Sequence, residues 1–298
     1  MIITAITGCK NEQDIIEPFV RHTLKFCDRL VISDNSIDAT KDILYNLCGE
    51  FPDRITLLGD TRFAYDQKRM LTNLFQDAAN GHPDFIVPVD VDEFISAPTR
   101  EIFEKHLSEI PEGGVGRTPW RTYIAHYPDS PDSLREMLFR RKVENPQYWK
   151  CIIRLGPLTA RDVVIEMGNH EVLSPTGKNI PRVDLDLPLL HFPVRSYDQF
   201  VTRIVVNWMA QLTRDPNIAS SGSAFHIRDL FQKLVAGEIT KDNLPQFAIG
   251  YAQGEGAYTS ESIVEDEHGI DCTRKYSTGR PMNAVSLIAR EWEKSLTK

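Results

Sequence analysis

Short apolar runs alternate with amphipathic stretches along the first third of the chain. Four runs have the length of a strand and are each followed by a polar loop: 2–6, 30–32, 55–58 and 85–89. The first amphipathic stretch carries one apolar face of Ile15, Ile16, Phe19, Val20 and Leu24, behind a possible N-cap at Asn11. Strands that alternate with helices predict a Rossmann-like α/β fold, with a mostly parallel central sheet between layers of helices.

The alternation loosens after Ile95, where a Gly- and Pro-rich turn is predicted at 111–116 and the sheet is expected to become mixed. Further extended segments are predicted at 148–155, 163–167 and 187–192. Helices are predicted at 39–47, 67–79, 100–108, 197–212, 226–235 and 282–295. The apolar stripe of 197–212 favours a core helix over a membrane-docking one, because no basic cluster flanks it.

The fourth apolar run ends in three acids, Asp90, Asp92 and Glu93. Residues two apart in extended backbone point to the same side, so Asp90 and Asp92 can offer carboxylate oxygens to one hard cation such as Mg²⁺ or Mn²⁺. A solvated acidic turn is the alternative. Ligands of open parallel sheets bind beyond the carboxyl ends of the strands, and this position favours a site.

Composition and charge narrow the possible partners. The chain has 298 residues, of which 41% are hydrophobic and 26% charged, as expected for a globular protein with a sizeable core. A net charge of −8 argues against nucleic acid and against an anionic membrane surface as partners. The apolar N-terminus is too short to cross a bilayer and lacks the basic start of a signal peptide, so a cytoplasmic location is expected.

The cysteines predict neither a disulfide framework nor a zinc site. They are odd in number, widely spaced and free of C-x-x-C pairs. Their positions are Cys9, Cys27, Cys48, Cys151 and Cys272. We expect reduced thiols in or near the core.

Three segments in this order resemble the family 2 glycosyltransferases of the GT-A fold: Asn11-Glu12, the loop 34–40, and Asp90-Val91-Asp92-Glu93. The resemblance covers about the first hundred residues. It implies that Asn11, Glu12, Asp34, Asn35 and Asp38 bind the nucleotide, and that Asp90 and Asp92 meet its ribose and a divalent metal. Asn35 stands where a second Asp is frequent in the family, which leaves the base open. Asn11 and Asp38 have a plainer alternative as helix caps.

The resemblance also implies an activity, namely metal-dependent transfer of a sugar from a UDP- or GDP-linked donor to an acceptor hydroxyl. The acceptor would be a glycan, a lipid-linked sugar or a small molecule, as in bacterial surface glycan or glycoconjugate synthesis. The Q-x-x-R-W segment of processive synthases is absent from the sequence, so a single transfer is expected. The expected domain is 1–214, with a nucleotide-binding half to about 97, an acceptor half over 98–214, and a packed helical extension over 215–298.

Further site residues are predicted in the second half of the chain. His191 and His170 are candidates for another metal ligand, with His191 favoured by its place before the last helix of the domain, although either could be a packing residue. Lys150 could bind the diphosphate, with Arg154 beside it on the same run, or both could form a solvated strand face. Asp92 is predicted to be catalytic through the metal. Glu171 is a candidate general base, with Asp129 and Asp132 as alternatives.

Other classes remain as alternatives. A sugar-nucleotide pyrophosphorylase would carry a Gly-rich basic loop after the first strand, where this chain has Cys9-Lys10-Asn11-Glu12. A phosphohydrolase of the Asp-x-Asp type would place its acids after the first strand. A non-catalytic module that binds a nucleotide or glycan is separated from an enzyme only by an assay.

Overall fold

The computed structural model describes residues 1–59, 66–125, 134–214, 225–252 and 257–270 of the chain. The α-helices in these residues are α1 (Ile16–Phe26), α2 (Thr40–Glu50), α3 (Gln67–Ala79), α4 (Arg100–Ser108), α5 (Tyr197–Arg214), α6 (Phe225–Val235) and α7 (Leu244–Gly250). The strands are β1 (Ile3–Cys9), β2 (Arg29–Asp34), β3 (Ile55–Gly59), β4 (Phe85–Pro88), β5 (Glu93–Ile95), β6 (Val115–Ile124), β7 (Phe139–Arg141), β8 (Trp149–Arg154), β9 (Val164–Ile165), β10 (Val172–Leu173), β11 (Arg182–Asp184), β12 (Leu189–His191) and β13 (Ile263–Glu265). Asp129, Asp132, Cys272 and the predicted helix 282–295 lie outside the described residues.

One half of the central sheet is parallel, as the strand and helix alternation predicts. Its strands lie in the order β3, β2, β1, β4, and each neighbouring pair is parallel. Side chains of β1 and β4 are buried on both faces, which explains why these strands read as continuous apolar runs. The predicted mixed α/β fold with a Rossmann-like parallel sheet is confirmed.

The other half of the sheet is largely antiparallel and continues from β4 in the order β8, β6, β7, β13. Its longest strand, β6, begins inside the turn predicted at 111–116 and was not predicted. Strand β6 also pairs in parallel with β11 and β12. The predicted extended segments 148–155 and 187–192 contain β8 and β12 of the central sheet, and 163–167 contains β9, which pairs with β10 in a separate two-stranded sheet.

Helices α5, α6 and α7 pack together over the second half of the sheet. Phe200 and Ile204 of α5 share a buried cluster with Leu244 and Ala248 of α7, and Leu230 of α6 packs against it. The expected extension after 214 is not purely helical, because β13 extends the sheet by pairing with β7. No helix in the described part of the chain has the length and apolarity needed to cross a bilayer.

Four cysteines fall within the described residues, and all four are free thiols. They are Cys9, Cys27, Cys48 and Cys151. Three of them are buried and Cys48 is half-buried, in agreement with the prediction of reduced residues in or near the core.

Candidate active site

A cleft of about 1500 Å³ opens beyond the carboxyl ends of β1 and β4 and is bounded on its far side by α5 and α7. Six of the predicted site residues line it together: Asn11, Glu12, Asp90, Asp92, Lys150 and His170. The parallel strands bring their loops to this edge of the sheet, as they do in other open α/β sheets. Residues from both halves of the chain therefore meet at one site.

The loop after β1 is joined to the loop after β2 through Asn11. Its backbone N–H donates to Ser36 Oγ at 2.8 Å, and its Oδ1 accepts from the Ile37 N–H at 2.9 Å. Asn11 has a φ of 58°, in the left-handed region that asparagine tolerates better than most residues. Helix α1 begins only at Ile16, so the alternative reading of Asn11 as a helix cap is wrong.

The acids of the second loop hold that loop together. The Asp34 carboxylate is buried and accepts from Cys9 Sγ at 3.3 Å and from the Ser36 N–H at 3.1 Å. Asp38 accepts from the Thr40 N–H at 3.0 Å at the start of α2, where Ala39 occupies the cap position. The Asn35 N–H donates to the Cys9 carbonyl. The side chains of Asp34, Asn35 and Asp38 are not part of the cleft lining, so their predicted nucleotide contacts stay predictions.

A first ion cluster, which we call the arginine cluster, consists of Glu12, Asp14 and Arg195. The Arg195 guanidinium is fully buried and donates to both oxygens of Asp14 at 2.8 and 2.9 Å, and to Glu12 Oε2 at 2.7 Å. Burial raises the pKa of Glu12 to about 7, and Arg195 opposes that shift. The cluster fixes the first loop to the segment between β12 and α5.

A second ion cluster, the lysine cluster, consists of Asp90, Glu93 and Lys150. Lys150 Nζ lies 2.6 Å from Asp90 Oδ2 and 3.0 Å from Glu93 Oε1, and it also donates to the Gly168 carbonyl at 2.6 Å. An ammonium group has three N–H donors, and these three acceptors use all of them. Lys150 thus holds Asp90 in place with all of its donors in use, and its predicted contact with the diphosphate stays a prediction.

Neighbouring side chains fix the rest of the lysine cluster. Asp90 Oδ1 accepts from Gln67 and Asn169, each at 3.2 Å. Glu93 is buried and accepts from the Trp120 indole N–H at 2.7 Å. Burial raises the pKa of Glu93 to about 8, against the opposing effect of Lys150. The cluster therefore readily takes up a proton near neutral pH.

Asp92 lies beside a cation and a neutral histidine. Its Oδ2 accepts from Arg203 Nη1 at 2.8 Å and lies 3.8 Å from His191 Nε2. Burial acts to raise the pKa of Asp92, but Arg203 and Arg195 outweigh it and keep Asp92 ionised. Burial lowers the pKa of His191 to about 3, so its ring is neutral, and it stacks on Trp120 with 4.1 Å between ring centroids.

The remaining two predictions in this region have different outcomes. His170 lines the cleft on the Asp90 side, with Nδ1 2.8 Å from the Trp149 carbonyl and its ring near Trp120. Burial and then Lys150 lower the pKa of His170. Glu171 is exposed, pairs with Arg182 at 2.7 Å and does not line the cleft, so its position does not support a role as general base.

The donor set fits a divalent cation that is shared with a substrate. Within the described residues no three His, Cys, Asp or Glu side chains are grouped to hold an ion by themselves. Mg²⁺ is commonly held by one or two carboxylates together with substrate phosphates, which is what Asp90 and Asp92 could provide. The arginine and lysine clusters with Asp92 and Arg203 contain five carboxyl groups and three cations, and the raised pKa values of Glu12 and Glu93 bring the cluster close to charge balance near neutral pH.

The sequence did not predict that three further residues belong to the site: Trp120, Arg195 and Arg203. Trp120 comes from the unpredicted strand β6, and Arg195 from a segment in which His191 is the predicted site residue. Arg203 left a signal, because it is a cation among apolar positions of the predicted helix 197–212. A charge in such a place usually has a buried acidic partner.

Comparison with known proteins places this chain beside several solved structures. No family model and no curated protein matches the sequence. The crystal structure of S. aureus TarS 1-349 is similar over 93% of this chain and 99% of that chain, at 12% identity and a TM-score of 0.41. Mannosyltransferase PcManGT from Pyrobaculum calidifontis, in complex with GDP-Man and Mn²⁺, is similar over 99% and 80%, at 16% identity and a TM-score of 0.36.

A 4-diphosphocytidyl-2C-methyl-D-erythritol synthase is similar over 52% of this chain and 75% of that chain, at 12% identity and a TM-score of 0.32. A mannosyltransferase in complex with a nucleotide sugar is thus among the structural neighbours. Similarity at this level does not identify the reaction of this chain.

Proposed function

We propose that this protein transfers a sugar from a nucleoside-diphosphate sugar to an acceptor hydroxyl. The observation that carries the proposal is the meeting of Asn11 and Glu12 with Asp90 and Asp92 in one cleft at the carboxyl edge of the parallel strands. The cleft is larger than the roughly 300–1,000 Å³ usual for one ligand, which leaves room for donor and acceptor together.

Asp90 and Asp92 are the residues that would hold Mg²⁺ or Mn²⁺, with His191 beside Asp92 as a further candidate ligand. When bound, the metal acts as a Lewis acid that stabilises negative charge on the departing diphosphate. The role of the chain is to hold both carboxylates in place. Lys150 does this for Asp90, and Arg203 does it for Asp92.

The remaining side chains prepare the site in other ways. Glu93 accepts from Lys150 and Trp120 and so holds both side chains in fixed positions beside the acids. The bond from Asn11 to the second loop places the two predicted nucleotide-binding loops side by side. Rigid placement of charged groups before the substrate arrives is the main source of electrostatic catalysis.

The test is a binding panel followed by an assay of turnover. UDP-, GDP-, CMP- and dTDP-sugars are screened by thermal shift with and without Mn²⁺, since a ligand that binds the native state raises Tm. The best donor is then incubated with candidate acceptors, and release of the free nucleotide is measured. Nucleotide release that depends on acceptor supports the proposal. Pyrophosphate release from a nucleoside triphosphate and a sugar phosphate would instead establish a pyrophosphorylase, and binding without turnover a non-catalytic module.

A further inference from the structure

We infer that Arg203 binds the diphosphate of the nucleotide directly, and that Lys150 does not. This inference rests on the function proposed above and assigns the phosphate contact to a residue of α5 that sequence patterns did not single out. It follows from counting which N–H donors of the two cations are already used.

The three donors of Lys150 are occupied by Asp90, Glu93 and the Gly168 carbonyl, and its side chain is 1% exposed. To reach a phosphate, Lys150 would have to leave Glu93, which is itself fully buried. The exchange would take a donor from the buried Glu93 carboxyl and break the bond from Lys150 to Asp90, so it is unfavourable. Lys150 is therefore a positioning residue for Asp90.

Arg203 is arranged differently. Its Nη1 donates to Asp92 Oδ2 and to the Pro193 carbonyl, and its Nη2 donates to the Tyr251 hydroxyl at 2.9 Å. A guanidinium has five N–H donors, so two of them have no partner among the described residues. The side chain is 26% exposed and borders the cleft, where an anion can reach it.

The bonds to Pro193 and Tyr251 matter because they do not involve the acid. They hold the guanidinium in place even if Asp92 turns toward a cation. Tyr251 also lies under the guanidinium, with 5.3 Å between Arg203 Cζ and the ring centroid. A planar guanidinium with two unused donors suits phosphate oxygens better than an ammonium does. A diphosphate bound here would lie next to Asp92, the acid expected to share its cation.

The experiment is isothermal titration with UDP and UMP, and with GDP and GMP, in the presence of Mn²⁺. It compares wild type with Arg203→Gln, Arg203→Lys and the control Arg117→Gln, whose exposed side chain pairs with Asp184 outside the cleft. Loss of the charged contact should weaken diphosphate binding by roughly 10- to 100-fold in Arg203→Gln. Monophosphate binding should change little, Arg203→Lys should recover part of the loss, and Arg117→Gln should bind like wild type.

The comparison of diphosphate with monophosphate is repeated with EDTA in place of Mn²⁺, because a direct phosphate contact is lost in both conditions, whereas a misplaced Asp92 matters only with the metal. Weakening that is confined to Mn²⁺ overturns the inference. Equal binding of the diphosphate by wild type and Arg203→Gln overturns the inference and leaves the proposed function standing. Equal weakening of mono- and diphosphate overturns it as well, because that result indicates a distorted cleft. Failure of wild type to bind any nucleotide overturns both. If Arg203→Gln does not fold, Arg203→Lys keeps the charge and decides the same question.

Discussion

The arginine cluster and the lysine cluster lie at the same cleft and both bury a cation among acids, yet they are built differently. Arg195 is fully buried and grips both oxygens of Asp14, across 181 residues of sequence. Lys150 meets one oxygen of each of its acids, and the Asp90 side chain is 28% exposed to the cleft. The first arrangement ties two chain segments together, whereas the second leaves a carboxylate facing a ligand.

The two clusters therefore contribute differently: the arginine cluster stabilises the fold, and the lysine cluster presents a carboxylate to a ligand. When a guanidinium donates to both oxygens of a buried carboxylate, that carboxylate has no oxygen left to offer a ligand. An ammonium satisfies its acids only in part, so Asp90 keeps acceptor capacity on the cleft side. We therefore expect changes in the arginine cluster to affect folding, and changes at the acids of the cleft to affect turnover.

The largest expected effect is that of Asp92→Asn on turnover. The amide preserves the shape of the side chain but removes the charge needed by a divalent cation, so transfer should fall about a thousandfold, or about 4 kcal/mol. Arg203 keeps its bonds to Pro193 and Tyr251, so Tm should fall only slightly. Initial rates and a melting curve are measured on the same preparation. A variant with normal melting and near wild-type rates would show that this acid is structural.

Arg195→Met should give the largest loss of stability. It leaves Asp14 and Glu12 buried without their cation, which costs about 3 kcal/mol or more. Urea denaturation monitored by fluorescence measures the change. Arg117→Met, which breaks an exposed pair, is the matched control and should cost less than about 1 kcal/mol. Equal losses in the two variants would contradict the distinction between a buried tie and a surface pair.

Lys150→Met should destabilise less than Arg195→Met, and the loss should depend on pH. Burial raises the pKa of Glu93 to about 8, above its unfolded value of about 4.3, so the folded state holds the extra proton in this window. Stability from this group is therefore greatest at low pH and declines as pH rises toward 8. Without Lys150 the pKa of Glu93 rises further, so the stability deficit of the variant should be small at pH 6 and about 2 kcal/mol at about pH 9.5.

Denaturation at the two pH values, with Glu93→Gln added to Lys150→Met as the control, measures this dependence. The double variant should lose the pH dependence, because the titrating carboxyl is gone. A deficit of Lys150→Met that is independent of pH would show that Glu93 is not the group responsible.

Trp120→Phe should have the smallest effect. Phenylalanine keeps a ring against His191 but removes the N–H that Glu93 accepts at 2.7 Å. Glu93 retains Lys150 and the Asp90 N–H, so the cost should be about 1–2 kcal/mol. Urea denaturation measures it, with Trp149→Phe on the neighbouring strand as the control for loss of a tryptophan. A cost above that of Lys150→Met would reverse the order of importance within the cluster.

The parallel half of the fold could be predicted from the sequence because its strands are apolar on both faces. Helices α3 and α4 begin and end where their patterns predict, at Gln67–Ala79 and Arg100–Ser108. Strand β6 was not predicted because its buried positions include Thr118, Trp120 and Thr122, which form no aliphatic run. Pro119 also interrupts the pattern.

The acids of the site could be predicted, since their place at a strand end is a local property of the sequence. Their partners could not. Arg195 and Arg203 reach the acids only after the chain has crossed the sheet, and nothing local marks which acid a buried arginine will meet. The acceptors of Lys150 could not be predicted for a related reason, because they lie in two other segments of the chain, Asp90 and Glu93 in one and Gly168 in the other.

The bond between Arg195 and Asp14 has a consequence for how the chain folds. The first hundred residues are synthesised early and contain every parallel strand of the first half, but Asp14 has no Arg195 until 181 further residues have been made. Contacts this distant in sequence form late and slowly. An isolated early half would expose Glu12 and Asp14 to water instead of burying them, so its compact form gains stability only when α5 docks. Folding of the cleft is thereby coupled to completion of the chain.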